Sequence, residues 1–277
     1  MPATSAPKGY RRVLRKNPGD PKYVKITKKV KVAKMSDPVR AGVLAVVRRM
    51  IARKAENKVI GNKVEDGVTH NSAIGSADCY PIVPEISPID SATGSTATQR
   101  IGDRITPKAL TVRGVLSINP EQGTNDVGDF YARIVIASQK DIKVGSVVSG
   151  SGVDAGALLR PGFSTPSNDQ RQFTGNTMDL NYPINRDLFH VYMDKIVRFK
   201  MTKTLTQDAW QNYSHRWSYT FKKLPSSLTF DEGNGNWPNN FAPFVAVGYA
   251  YADGKDPDTV QLKLIHNCFS QLSFEDM

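Results

Sequence analysis

The residues of this chain that can do chemistry are mostly cations, and they crowd one end. Lys8, Arg11, Arg12, Arg15, Lys16, Lys22, Lys25, Lys28, Lys29, Lys31 and Lys34 fall within the first 35 residues, against Asp20 alone. Arg48, Arg49, Arg53 and Lys54 form a second cluster. Lysine and arginine at this density neutralise phosphates and release their counterions, which gives affinity for nucleic acid without reading its sequence. We expect these residues to bind a polyanion of that kind. Tyr10 and Tyr23 stand among them. A phenol ring there either stacks on an unpaired base or is incidental, and the sequence leaves both readings open.

No other constellation rises to a catalytic or metal site. His70, His190, His215 and His266 stand singly, without the paired spacing of a zinc site. Asp253, Asp256 and Asp258 lack the terminal glutamate of a calcium loop and read as a polar turn. The glycines of 145–156 are not followed by Gly-Lys-Ser/Thr, so they form loops and not a phosphate cradle. Trp237, beside Pro238, is either an anchor for a protein contact or loop packing. We therefore expect neither enzymatic activity, nor a cofactor, nor a metal. Cys79 and Cys268 have no framework spacing and read as two reduced thiols of an intracellular protein. No apolar run reaches the ~18 residues of a spanning helix. The N-terminus lacks the apolar core of a secretory signal. A soluble protein without membrane insertion is expected.

The charge is partitioned along the chain. Residues 1–63 hold 18 Lys/Arg and 3 Asp/Glu, a net of +15, and the remainder carries a net of −4. Such a split speaks to partners rather than to fold. Residues 1–35 combine high charge with four prolines, two glycines and few apolar side chains, so burial cannot offset their ordering entropy. They are expected to be disordered in isolation. A helix is expected at about 37–57, with Asp37 as N-cap and Pro38 at the first position. Val39, Val43, Val46, Val47 and Met50 form its apolar stripe. It would lie against phosphates or a neighbouring subunit, against its own domain, or on a membrane surface. Residues 1–63 thus form a basic arm. Residues 64–99, with Pro81, Pro84, Pro88 and a Ser/Thr/Ala/Gly run, read as an extended linker.

From residue 100 the pattern changes to a period of two. Leu110, Val112, Gly114, Leu116 and Ile118 alternate with more polar positions that include Thr111, Arg113 and Ser117. Strand patterns recur at 129–138, 188–201, 213–221, 224–231, 242–251 and 260–274. The stretch 188–201 reads as one strand or as two meeting at Asp194 and Lys195. Residues 139–185 read as an exposed insertion with a short helix near 153–159. No helical pattern of 10 to 15 residues separates the strands, so a parallel βαβ sheet is not expected. The fold expected over 100–277 is an all-β, antiparallel, eight-stranded jelly-roll sandwich.

Thr98-Gln99-Arg100-Ile101-Gly102, Leu110-Thr111-Val112-Arg113-Gly114, Tyr182-Pro183-Ile184-Asn185-Arg186 and Phe189-His190-Val191-Tyr192-Met193-Asp194-Lys195 follow one another in that order. In these motifs and in its basic arm the chain resembles the capsid proteins of circular, Rep-encoding single-stranded DNA viruses, the circovirus-like group. The resemblance implies a virion subunit on a jelly roll, assembled with itself into an icosahedral shell of about 60 copies. It also implies an arm turned inward onto a DNA genome, and assembly in a host nucleus. The arm departs from the group in being lysine-rich with a helix. The coat protein of a small RNA virus and a cellular basic nucleic-acid-binding protein are the alternatives, because phosphate neutralisation is the same for each.

Overall fold

The structure, a computed structural model, describes residues 10–13, 22–25, 42–43, 46, 56–70, 72–88, 99–120, 129–162, 169–200, 214–231, 235–254 and 262–276. The chain divides into two compact units, Met1–Arg53 and Lys54–Met277. In the first, β1 (Tyr10–Val13) pairs antiparallel with β2 (Lys22–Lys25). The part of the arm that is described over 1–35 is thus a paired hairpin, and the expectation of disorder otherwise falls outside the described residues. Gly42, Val43 and Val46 are helical, within the span expected for a helix. That helix does not reach residue 57, because a strand begins at Glu56.

The second unit is a sandwich of antiparallel strands. They are β3 (Glu56–His70), β4 (Tyr80–Pro81), β5 (Arg104–Pro120), β6 (Phe130–Gln139), β7 (Phe189–Phe199), β8 (Ser214–Thr220), β9 (Leu228–Thr229), β10 (Phe244–Tyr251) and β11 (Leu262–Asp276). One sheet has the order β3-β11-β5-β8, with β9 beside β5; the other has the order β4-β10-β6-β7. The pairing is nested. β3 lies on β11, β4 on β10, β5 on β8 and β6 on β7, all antiparallel. A long ribbon folded back on itself and rolled into two layers gives this order, which is the jelly roll.

One boundary differs from the sequence reading. The stretch read as the end of the arm and the start of a linker contains β3 and β4, so the sandwich begins at residue 56 and not at 100. β3 was illegible because its alternation is broken twice. Its register against β11 slips on either side of Cys268, and Gly67 takes a positive φ of 67° there, as a glycine bulge requires. The stretch 188–201, which the sequence left open between one strand and two, is one: β7 runs unbroken from Phe189 to Phe199 through Asp194 and Lys195.

The insertion between β6 and β7 is not an exposed loop. It carries α1 (Gly145–Ser149) and 3-10 turns at Ala155–Ala157 and Thr177–Leu180. The short helix expected near 153–159 is the first of these turns. Val148, Val153, Leu158, Leu159, Phe173 and Leu180 pack onto Val135, Ala137, Phe244 and Ala246 of the β4-β10-β6-β7 sheet. That sheet is therefore covered on both faces, and every residue of β10 is buried. Arg133 ties the layer down. Its Nε and Nη2 donate to the two Asp194 oxygens at 2.9 and 2.7 Å, and Nη1 donates to the Asp179 carbonyl at 2.7 Å. Between the sheets lies the main core of Ile, Leu, Val and aromatic side chains, with Phe130 stacked on Phe199 at 4.8 Å.

Candidate nucleic-acid interface

Most of the cations expected to bind nucleic acid, Lys8, Arg15, Lys16, Lys28, Lys29, Lys31, Lys34, Arg48, Arg49, Arg53 and Lys54, lie outside the described residues. Arg11, Arg12, Lys22 and Lys25 are on the β1–β2 hairpin. Its register sets Tyr10 opposite Lys25 and Arg12 opposite Tyr23, so aromatic and cationic positions meet across the ladder. Unit Met1–Arg53 has 15 Lys/Arg and two Asp/Glu, a net of +13; Lys54–Met277 is close to neutral.

A second cationic surface belongs to the sandwich. The inner face of the β3-β11-β5-β8 sheet is core. Its outer face carries an open groove of about 690 Å³, lined among others by Lys63, Arg113, Arg216, Ser218, Asn267 and Phe269. The register builds it. One row runs Lys63, Phe269, Arg113, Ser218 across four strands, and the next runs Asn267, Val115, Arg216. Phe269 is 43% exposed. Its ring lies over Gly61, where an added Cβ would stand 2.4 Å from Cζ. Lys63 pairs with Asp66 at 2.8 Å. Arg100, Arg133, Arg160, Arg171 and Arg198 each hold a carboxylate. Among the described residues, Arg113 and Arg216, like Arg104 and Arg186, have no such partner.

Arg113 and Arg216 occupy outward positions of their strands, and the alternation marks them as solvent-facing. Nothing in the linear sequence makes β5 and β8 neighbours, nor brings Phe269 beside Arg113 from more than 150 residues away.

Beneath the groove lies a buried charged cluster that the sequence also concealed. The bulges of β3 turn Glu65 inward. Its Oε2 is 2.8 Å from His70 Nε2 and 2.6 Å from His266 Nδ1, and all three side chains are shut off from solvent. Burial alone would raise the Glu65 pKa. The hydrogen bonds from His266 and His70 outweigh it and hold the carboxyl below its ordinary value. Trp217 stacks on His266 from the β8 side at 5.6 Å, filling the space left by Gly114.

Two motifs of the family resemblance have structural work in this chain. Arg100 is buried, donates to the Gly102 and Gly235 carbonyls and to Asp103, and sits 4.3 Å over the Phe230 ring. It fixes the chain where it enters β5. Asn185 is buried and donates to the Ala157 carbonyl at 3.2 Å, joining the end of the insertion to its middle. Trp237 packs its ring on Gly145 of α1. Cys79 and Cys268 are buried free thiols.

No family model matches the chain, and no curated protein matches it. Among solved structures it is similar to a chain in the structure of the infectious bursal disease virus Gx strain, at 8% identity and a TM-score of 0.13. The match covers 79% of this chain and 41% of that one, so the chain spans about two-fifths of its length. A likeness at that level does not define a common fold.

Proposed function

We propose that this protein is a viral coat subunit that assembles with copies of itself into a small icosahedral shell and packages single-stranded nucleic acid through residues 1–53. The observation that carries the reading is the division of charge between two units: a net of +13 on Met1–Arg53, joined to a near-neutral jelly roll. A neutral sandwich tiles with its copies at little electrostatic cost, while the arm offsets phosphate charge. The motifs around Arg100, Val112 and Asn185 favour a circovirus-like DNA genome, with the virion and the host nucleus as the places where the protein acts.

The test is to express the full chain, separate it by size and image it by negative stain. Closed shells containing single-stranded DNA are expected. Shells that hold RNA would move the protein to the RNA-virus alternative. A monomer that binds nucleic acid without forming shells would make it a cellular binding protein.

A further inference from the structure

Sandwich sheets usually present their outer faces to water, and here the two sheets differ. The β4-β10-β6-β7 sheet is roofed by the protein's own insertion. Among the described residues nothing roofs the β3-β11-β5-β8 sheet around the groove. A bare face becomes informative when its composition selects a partner. This one sets an exposed aromatic ring beside two arginines that no carboxylate among the described residues satisfies, with Ser218 and Asn267 as neutral hydrogen-bonding groups.

We propose that this face is a second binding site for single-stranded nucleic acid, in which Phe269 stacks a base and Arg113 and Arg216 hold the flanking phosphates. The chemistry selects the ligand. A flat ring between cations suits an unpaired base on a phosphate backbone, and stacking is sequence-tolerant because every base has a π face. Four strands at ~4.8 Å spacing give a platform about 14 Å wide, enough for two or three nucleotides. Double-stranded DNA has its bases paired and stacked away from such a ring, so the face should discriminate against duplex. The Lys63–Asp66 pair borders the site at the β3 edge and is locally neutral, Glu65 beneath it turns its carboxylate to His70 and His266, and Arg113 and Arg216 are the remaining cations of the lining.

The inference rests on the coat reading only for the source of the nucleic acid; the site itself is argued from the groove.

The full chain is mixed with oligothymidylate carrying 5-iodo-deoxyuridine, irradiated, digested and read by mass spectrometry. Crosslinks are expected both in residues 1–53 and in the peptide containing Phe269. F269A should remove the second set and weaken binding about tenfold. F269L keeps Gly61 covered and should bind like F269A, which separates loss of the ring from loss of packing. The R113Q/R216Q double variant should lower the slope of log affinity against log salt by about 1.4. Crosslinks confined to residues 1–53, with unchanged affinity in all three variants, would overturn the site and leave the coat reading intact. Crosslinks at Phe269 alone would uphold the site and remove the arm's assigned role. Crosslinks in neither place would overturn both. Protection of the face from hydrogen exchange on assembly without nucleic acid would show that a second copy covers it, and would also overturn the site.

Discussion

The Nδ1 of His266 lies 2.6 Å from the Oε2 of Glu65, deep in the sandwich and across 201 residues of sequence. Their strands, β11 and β3, are the last and first of the roll. The contact therefore closes the fold. Removing the carboxylate leaves two buried imidazoles without it, so E65A should cost about 3 kcal/mol in urea unfolding.

The same pair sets an acid limit. Glu65 is held below its ordinary 4.5 in the folded state. A depressed carboxyl contributes stability that is present above the unfolded value and is lost as pH falls through the folded one. The difference in unfolding free energy between wild type and E65Q should shrink as the pH falls below about 4.5. A difference that does not change with pH down to acid unfolding would contradict this.

Arg133 gives a separate prediction. It is 2% exposed and holds Asp194 and the Asp179 carbonyl together. R133M should destabilise the protein by about 2 kcal/mol, since it leaves the buried Asp179 carbonyl without its donor and Asp194 without its cation. The defect should be local first, with limited proteolysis cutting within 139–185 sooner than in wild type. D194N, which retains a hydrogen-bond acceptor for the guanidinium, should show a smaller effect on the same digest.

The thiols should be inert. Burial, with Asp78 adding to it, pushes Cys79 up to about 12, and burial also raises Cys268. The thiolate is the reactive form, so neither residue should take up iodoacetamide at pH 8 in the folded protein. Both should react fully in guanidinium. Modification of Cys268 under native conditions would mean that the bulged region of β3 opens.

Gly114 tests the packing of the core. An added Cβ would lie 2.5 Å from the Trp217 ring, which itself stacks on His266. G114A should cost about 2 kcal/mol through overpacking, read from thermal unfolding.

Much of the roll is visible in the chain before any coordinates. The alternations of Leu110 to Ile118 and of His215 to Phe221 mark β5 and β8 because one face of each strand is core and the other is not. β3 escapes because Glu65 enters the core out of step, after bulges that shift its parity. The insertion escapes for another reason: Val148, Leu158 and Phe173 are apolar side chains scattered among Gly, Ser and Asn, and they acquire a period only from the sheet they cover. The positive charge of residues 1–53 is plain from composition alone. The groove is not, because Phe269, Arg113 and Arg216 meet only through the pairing of β11, β5 and β8.

The most direct test of the coat reading is nuclease protection of single-stranded DNA assembled with the full chain, beside a chain lacking residues 1–35. The full chain should form closed shells that shield the DNA, and the shortened one should keep its folded sandwich but shield far less. Equal protection by both chains, or a full-length protein that stays monomeric and leaves the DNA open to digestion, would contradict it.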